Sequence, residues 1–87
     1  MSDFQFTEDG FEDYVYWQGQ DRKTLKKINS LLRAIQRDPF HGDGKPEPLR
    51  GENGKWSRRI NEKDRLVYKY ENNTIMIYQC RSHYEDK

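Results

Sequence analysis

The segment between residues 21 and 38 constrains the fold more than any other part of this chain. An apolar stripe recurs there at intervals of three and four residues, made up of Leu25, Ile28, Leu32 and Ile35. The opposite side carries basic residues, at Arg22, Lys26, Arg33 and Arg37. This spacing predicts an amphipathic α-helix that covers another layer of structure. Asp21 is a suitable N-cap, and Pro39 ends the helix at about Asp38.

The segment before this helix predicts a short strand and a first helix. Asp3–Phe6 alternates polar and apolar residues, as a half-buried strand does. Thr7 is a plausible N-cap for a helix over about residues 8–18, and acidic residues in its first turn favour it. We expect Gly19 to break this helix. The helix face expected to be buried consists of Phe11, Tyr14, Val15 and Gln18.

Three strand-like runs follow a segment rich in Gly, Pro and charge between Pro39 and Asn53. They cover Lys55–Ile60, Arg65–Glu71 and Thr74–Arg81, and Asn72-Asn73 predicts a tight turn between the last two. The element order is therefore β-α-α-β-β-β. It predicts an α+β fold in which a two-helix hairpin packs on a mostly antiparallel four-stranded sheet.

Length and apolar content exclude several classes of protein. A chain of 87 residues has room for one small domain. The longest unbroken apolar runs, Tyr14–Trp17 and Ile75–Tyr78, have four residues each, far too few to span a membrane. The start of the chain has neither the basic nor the apolar region of a secretory signal, and the single Cys80 fits a reducing cytosol. We therefore expect a cytoplasmic protein.

The small net charge of +1 conceals an uneven distribution of charge. Residues 1–20 contain five of the 15 acidic residues and none of the 16 Lys and Arg, so residues 21–87 carry a surplus of six positive charges. This distribution is compatible with binding of a polyanion on one face. A solvated surface of mixed charge explains it equally well.

Common catalytic and metal-binding patterns are absent from the sequence. Two histidines far apart and one cysteine do not make a zinc site. Gly42-Asp43-Gly44-Lys45 lacks the length and the strand-to-helix context of a phosphate loop, and no serine lies in a GxSxG motif. A position within a predicted strand favours a packed thiol for Cys80 over a nucleophile. We expect neither metal nor cofactor.

The remaining polar groups suit cleavage of a phosphodiester without a metal. Such cleavage needs a base, an acid and cations around a doubly charged transition state. Glu47 lies between two prolines that stiffen its backbone, and His83 follows the last predicted strand. Arg58, Arg59 and Arg65 lie on adjacent strands and would bind phosphate oxygens. Taken singly, each of these residues is also compatible with an ordinary solvated surface position.

Six segments of the chain resemble the YoeB (Txe/YoeB) family, toxins of bacterial toxin–antitoxin pairs within the RelE/ParE superfamily. The resemblance runs in register from about Phe4 to Tyr84, which defines a domain of residues 1–84 and a short extension of residues 85–87. The matching segments are Asp13-Tyr14-Val15-Tyr16-Trp17-Gln18, Lys26-Lys27-Ile28-Asn29, Gly44-Lys45-Pro46-Glu47-Pro48-Leu49, Trp56-Ser57-Arg58-Arg59-Ile60, Arg65-Leu66-Val67-Tyr68 and Arg81-Ser82-His83-Tyr84.

The resemblance implies a ribonuclease that enters the ribosomal A site and cuts mRNA by metal-free attack of the 2′-OH. Glu47 matches the general-base position, His83 the general acid and Arg65 the cation that stabilises the transition state. Tyr84 would orient the substrate beside His83. The RNA-binding residues predicted by the resemblance, by charge or by loop position are Lys45, Arg50, Arg58 and Arg59.

The resemblance also implies partners. They are a cognate antitoxin that is YefM/Phd-like, acidic and folds on binding, the ribosome with its A-site mRNA, and operator DNA through the antitoxin complex alone. Both a monomer and a homodimer remain open. Two alternative functions are a non-catalytic module that binds nucleic acid or antitoxin in autorepression, and a gyrase-poisoning toxin of the same superfamily.

The chain departs from the family pattern in three places. The loop between Leu49 and Trp56, which contains Arg50, is one residue shorter than in the familiar members. Relatives commonly carry an acid at the position of Lys63 and a histidine at the position of Asp64. They usually end at the His-Tyr pair, whereas this chain continues with Glu85-Asp86-Lys87.

Overall fold

A computed structural model describes residues 2–82 of the chain. Two helices, α1 (Glu8–Gln20) and α2 (Arg22–Arg37), follow a first strand, β1 (Asp3–Phe6). Four further strands follow the helices: β2 (Glu47–Pro48), β3 (Trp56–Arg59), β4 (Arg65–Glu71) and β5 (Thr74–Gln79). The predicted α+β class and its helical hairpin on a mostly antiparallel sheet are confirmed.

The sheet has five strands in the order β1-β5-β4-β3-β2, rather than the four predicted from sequence. The additional strand, β2, has only two residues and pairs antiparallel with β3 at the edge of the sheet. Proline has no backbone N–H to donate. Pro48 is tolerated at the edge because no further strand there needs such a donor. Strand β1 is parallel to β5, and every other pairing is antiparallel.

The helix α2 forms the apolar layer above the sheet, as its stripe predicts. Its buried residues are Ile28, Leu31, Leu32, Ala34 and Ile35. They pack against residues of the sheet that include Leu66, Tyr68, Ile75 and Ile77. Tyr14 joins the two helices by donating its hydroxyl hydrogen bond to Asn29 Oδ1 at 2.7 Å. The helices therefore cover one face of the sheet, and the described residues place no helix on the opposite face.

The helix α1 differs from its prediction in length and in the face that it buries. It continues through Gly19 and ends at Asp21, whose extended backbone stops the helix and whose carboxylate caps α2 by accepting from Lys23 and Thr24. Phe11 and Val15, predicted to be buried, are 55% and 45% exposed. A Cβ on Gly10 would collide with the Ile77 carbonyl oxygen, so this glycine allows α1 to approach β5 closely.

The hairpin between β4 and β5 has the predicted tight turn. Asn72 and Asn73 have φ of 53° and 59°, the left-handed region that two-residue hairpin turns require and that asparagine tolerates.

Within residues 2–82, no helix is long and apolar enough to cross a membrane.

Candidate active site

The sheet face opposite the helices carries a cleft of about 330 Å³. A row of paired residues crosses it: Glu47 lies opposite Ser57, Ser57 opposite Val67, and Val67 opposite Gln79. Arg65 precedes Val67 by two residues on β4, so the two share a face of the strand. The cleft thus brings together Glu47 and Arg65, two of the four residues predicted to be catalytic.

Glu47 is exposed on the edge strand β2, although the sequence predicted no regular structure there. Pro46 and Pro48 flank it, and pairing with Ser57 on β3 fixes the direction of its backbone. Its carboxylate therefore projects from a stiff support at the rim of the cleft, where it can accept a proton from a bound ligand.

Arg65 is half-buried at the start of β4. Its Nη1 donates hydrogen bonds to the carbonyl oxygens of Asn61 at 3.0 Å and Asp64 at 3.2 Å, both in the turn before the strand. A guanidinium has five N–H donors. The turn therefore orients the group, and within residues 2–82 its remaining edge is left to bind an anion in the cleft.

Lys45 and Arg59 lie in a neighbouring groove of about 380 Å³. Arg59 is exposed and lies opposite Arg65 in the β3–β4 pairing. The positive charge of Arg65 in the cleft is therefore continued by that of Arg59 in the neighbouring groove. Lys27 of α2 also lines the groove. Arg50 is exposed in the loop between β2 and β3 and, in the described part of the chain, lines neither cavity.

Arg58 lies in the core instead of on the surface, with none of its area exposed. Its guanidinium donates to the carbonyl oxygens of Asp38 at 2.6 Å, His41 at 3.0 Å and Asp43 at 3.0 Å, and to the Tyr68 hydroxyl at 3.1 Å. These bonds hold the loop after α2 against the sheet. They correct the assignment of Arg58 as an RNA-binding residue, because its side chain points into the helical layer.

His83 and Tyr84, the other two residues predicted to be catalytic, lie outside the described residues. The described chain leads toward them through Cys80, Arg81 and Ser82. Arg81 stacks its guanidinium on the Tyr16 ring, with its carbon Cζ 3.8 Å from the ring centroid. The segment that precedes His83 is thus attached to α1.

Lys55 and Tyr78 also line the cleft, although the sequence analysis had not singled them out. The Lys55 ammonium lies 4.2 Å from the centroid of the Tyr78 ring, a favourable cation–π distance. The alternation along β5 carried the signal, because Tyr78 shares a strand face with Thr74 and Met76 while Ile75 and Ile77 form the core.

Cys80 is a packed thiol, as predicted. Burial, and then the negative charges of Asp13 and Asp64, raise its pKa to about 12. Within residues 2–82, no group of three or more His, Cys, Asp and Glu side chains could hold a metal ion.

We expect Cys80 to react with iodoacetamide at pH 8 at least about 10³-fold more slowly in the folded protein than in urea. The thiolate is the reactive form of cysteine. A pKa of about 12 in place of 9.0 lowers the fraction of Cys80 present as thiolate by about 10³-fold. Because the folded pKa is raised, stability is also expected to fall as the pH rises from about 9 to 12. Mass spectrometry of alkylated protein measures the rate, and equal labelling with and without urea would contradict the burial.

Comparison with known proteins places this geometry in a family. The profile of YoeB-like toxins of bacterial type II toxin–antitoxin systems matches residues 6–84. Toxin YoeB of Streptomyces coelicolor is 55% identical over 80 residues, which cover 91% of this chain and 95% of that protein.

Two solved structures from Staphylococcus aureus are similar over nearly the whole chain. A YoeB–YefM complex superposes with a TM-score of 0.89 at 44% identity, covering 97% of this chain and 99% of that one. A YoeB dimer gives 0.88 at 46% identity, with coverage of 95% and 98%. Sequence and fold agree over the same residues, and this chain therefore belongs to the YoeB-like toxins of bacterial type II toxin–antitoxin systems.

Proposed function

We propose that this toxin is a ribosome-dependent endoribonuclease that cuts mRNA in the A site. The observation that carries the proposal is that Glu47 and Arg65 line the same cleft on the sheet face opposite the helices. A base and a fixed cation facing the same space are two of the groups that cleavage of an RNA phosphodiester requires.

In the proposed reaction, the ribose 2′-oxygen attacks the adjacent phosphorus while Glu47 accepts the 2′-OH proton. The new bond closes a 2′,3′-cyclic phosphate, and the bond from phosphorus to the 5′-oxygen breaks. His83 donates a proton to that departing oxygen, which leaves as a 5′-hydroxyl. The roles of His83 and of Tyr84, which would orient the substrate, rest on the family resemblance.

Arg65 would stabilise the charge that develops on the phosphoryl oxygens. Its guanidinium is already held by the carbonyl oxygens of Asn61 and Asp64, so little reorganisation is needed when the charge forms. Lys45 and Arg59 are exposed cations of the neighbouring groove, and Arg50 is an exposed cation of the loop between β2 and β3. We assign all three to contacts with the RNA backbone.

We further propose that a cognate antitoxin of the YefM/Phd type inhibits this toxin. The Staphylococcus aureus relative has been solved with YefM, and a surplus of six positive charges over residues 21–87 favours an acidic partner. That relative also occurs as a dimer, which supports a homodimer here. Operator DNA would be bound through the antitoxin complex, and the site of action would be the bacterial cytoplasm.

Primer extension on mRNA in stalled ribosomes tests the proposal. We expect the purified toxin to cut at the A-site codon, because the ribosome presents the RNA strand to the cleft. Moving the stall by one codon should shift the cut by the length of that codon, and adding the antitoxin should abolish cutting.

Two other outcomes would contradict the proposal. Intact mRNA together with double-strand breaks in DNA treated with gyrase would identify a gyrase-poisoning toxin. Intact mRNA and intact DNA, with operator binding by the antitoxin complex retained, would identify a non-catalytic module that acts in autorepression.

A further inference from the structure

Two buried carboxylates hold the chain where β5 ends. Asp13 and Asp64 are each only 4% exposed. Asp13 Oδ2 accepts a hydrogen bond from the Cys80 backbone N–H at 3.1 Å, and Asp64 Oδ1 accepts one from the Ser82 backbone N–H at 2.7 Å. The first contact joins the end of β5 to α1, and the second joins the following residues to the β3–β4 turn.

The Asp64 carboxylate is itself held in place by the turn. Its Oδ2 accepts from Asn61 Nδ2 at 3.0 Å, while Asn61 Oδ1 accepts from the backbone N–H groups of Lys63 and Asp64 at 2.8 and 2.7 Å. Both oxygens of the carboxylate are thus engaged. A buried carboxylate is retained at low cost only where such bonds satisfy it, and bonds to a charged acceptor are short and strong.

The position of this bond in the sequence gives it a consequence for the proposed site. Asp64 immediately precedes Arg65, the proposed transition-state cation. Ser82 immediately precedes His83, the proposed general acid. A single hydrogen bond of 2.7 Å therefore joins the side chain of the residue before Arg65 to the backbone of the residue before His83.

We propose that Asp64 is a positioning residue that holds the backbone at Ser82, the residue before the proposed acid His83, against the turn that carries Arg65. This role rests on the proposed ribonuclease function. Asp64 is buried, so we expect it to act through its bonds to the Ser82 backbone and to Asn61 rather than through contact with the RNA. Misplacement of a catalytic group by about 1 Å can lower a rate by about 10²-fold. Loss of the carboxylate should therefore reduce the cleavage rate and leave RNA binding nearly unchanged.

A pair of variants separates loss of the hydrogen bond from loss of the side chain. Asp64→Ala removes the acceptor for the Ser82 N–H. The double variant Asn61→Asp/Asp64→Asn exchanges the two side chains, so the carboxylate at position 61 accepts from the amide at position 64. The amide oxygen at position 64 still accepts from Ser82. Leu32→Ala, on the buried face of α2, serves as the control for lost stability.

We expect Asp64→Ala to slow single-turnover cleavage of ribosome-bound mRNA by about 10–100-fold, with less than about a twofold change in the half-saturating toxin concentration. The double variant should return to within about threefold of the wild-type rate. Leu32→Ala, assayed well below its melting temperature, should cut at the wild-type rate. Hydrogen exchange of the Ser82 amide should be slow in the wild type and the double variant and fast in Asp64→Ala.

Two results would overturn the positioning role. One is wild-type cleavage by Asp64→Ala despite fast exchange at Ser82. The other is an equal loss of rate in Asp64→Ala and Leu32→Ala at matched stability. Failure of the proposed ribonuclease function would be seen differently, as the absence of cleavage by the wild-type protein itself.

Discussion

Replacing Arg65 by alanine is expected to slow single-turnover cleavage of ribosome-bound mRNA by about 10²–10³-fold. The loss of one preorganised group that stabilises developing negative charge typically costs about 3–4 kcal/mol of transition-state stabilisation. Arg65 lies in the cleft with Glu47 and is held by two carbonyl oxygens of its turn, so its charge is preorganised in the cleft. The fold should be kept, because the side chain lies on the sheet face away from the core.

Two further variants make this result specific. Arg65→Lys keeps the charge but loses the planar fork, and we expect an intermediate rate. Arg33→Ala removes an exposed arginine from α2 and should cleave at the wild-type rate. Cleavage by Arg65→Ala at the wild-type rate would remove this residue from the mechanism, and a large drop in its melting temperature would indicate a structural role.

The same assay ranks the proposed acid and base. His83→Gln is expected to lose about 10²–10⁴ in rate, the usual contribution of general acid–base catalysis. Glu47→Ala should be equally severe if Glu47 alone accepts the 2′-OH proton. It should be milder if water or ribosomal RNA substitutes for it. Wild-type cleavage by His83→Gln would show that another group protonates the 5′-oxygen.

The parts of the fold that could be predicted are those specified by local pattern. The stripe through Ile28 and Ile35 identified α2, and Asn72-Asn73 identified the hairpin. The buried face of α1 could not be predicted because it depends on contacts far along the chain. Gly10 packs against Ile77, and the buried Asp13 carboxylate accepts a hydrogen bond from the Cys80 backbone N–H. In isolation a glycine and an aspartate predict exposure, and only the partner strand makes them core residues.

The site shows the same division between local and distant information. Glu47 and Arg65 could be selected by residue type and setting, whereas their common cleft depends on the register between β2, β3 and β4. Arg58 was misassigned, although β-strand alternation carried a signal. It shares a strand face with Trp56 and Ile60, and these apolar neighbours indicate the core side. Arg59 has the opposite parity and is exposed.

Replacing Arg58 by methionine is therefore expected to destabilise the protein by about 3 kcal/mol. Methionine has similar length but donates no hydrogen bond, so the carbonyl oxygens of Asp38, His41 and Asp43 lose their common donor in a partly buried loop. The Tyr68 hydroxyl loses its donor as well, although it keeps its own bond to the Pro39 carbonyl oxygen at 2.6 Å. In a domain of this size, such a loss lowers the melting temperature by about 12–24 °C.

Arg59→Met is the matched control, since it makes the same change one residue along β3 on the exposed face. Its stability should stay within about 0.5 kcal/mol of the wild type. Urea denaturation measures both variants, and an unchanged slope with denaturant would show that the shift in midpoint reports stability alone. Affinity for mRNA should fall in Arg59→Met and stay unchanged in Arg58→Met, because Arg59 is assigned to the RNA and Arg58 to the core. If Arg58→Met kept wild-type stability but lost affinity for mRNA, Arg58 would be an RNA contact after all, and the loop after α2 would need another anchor.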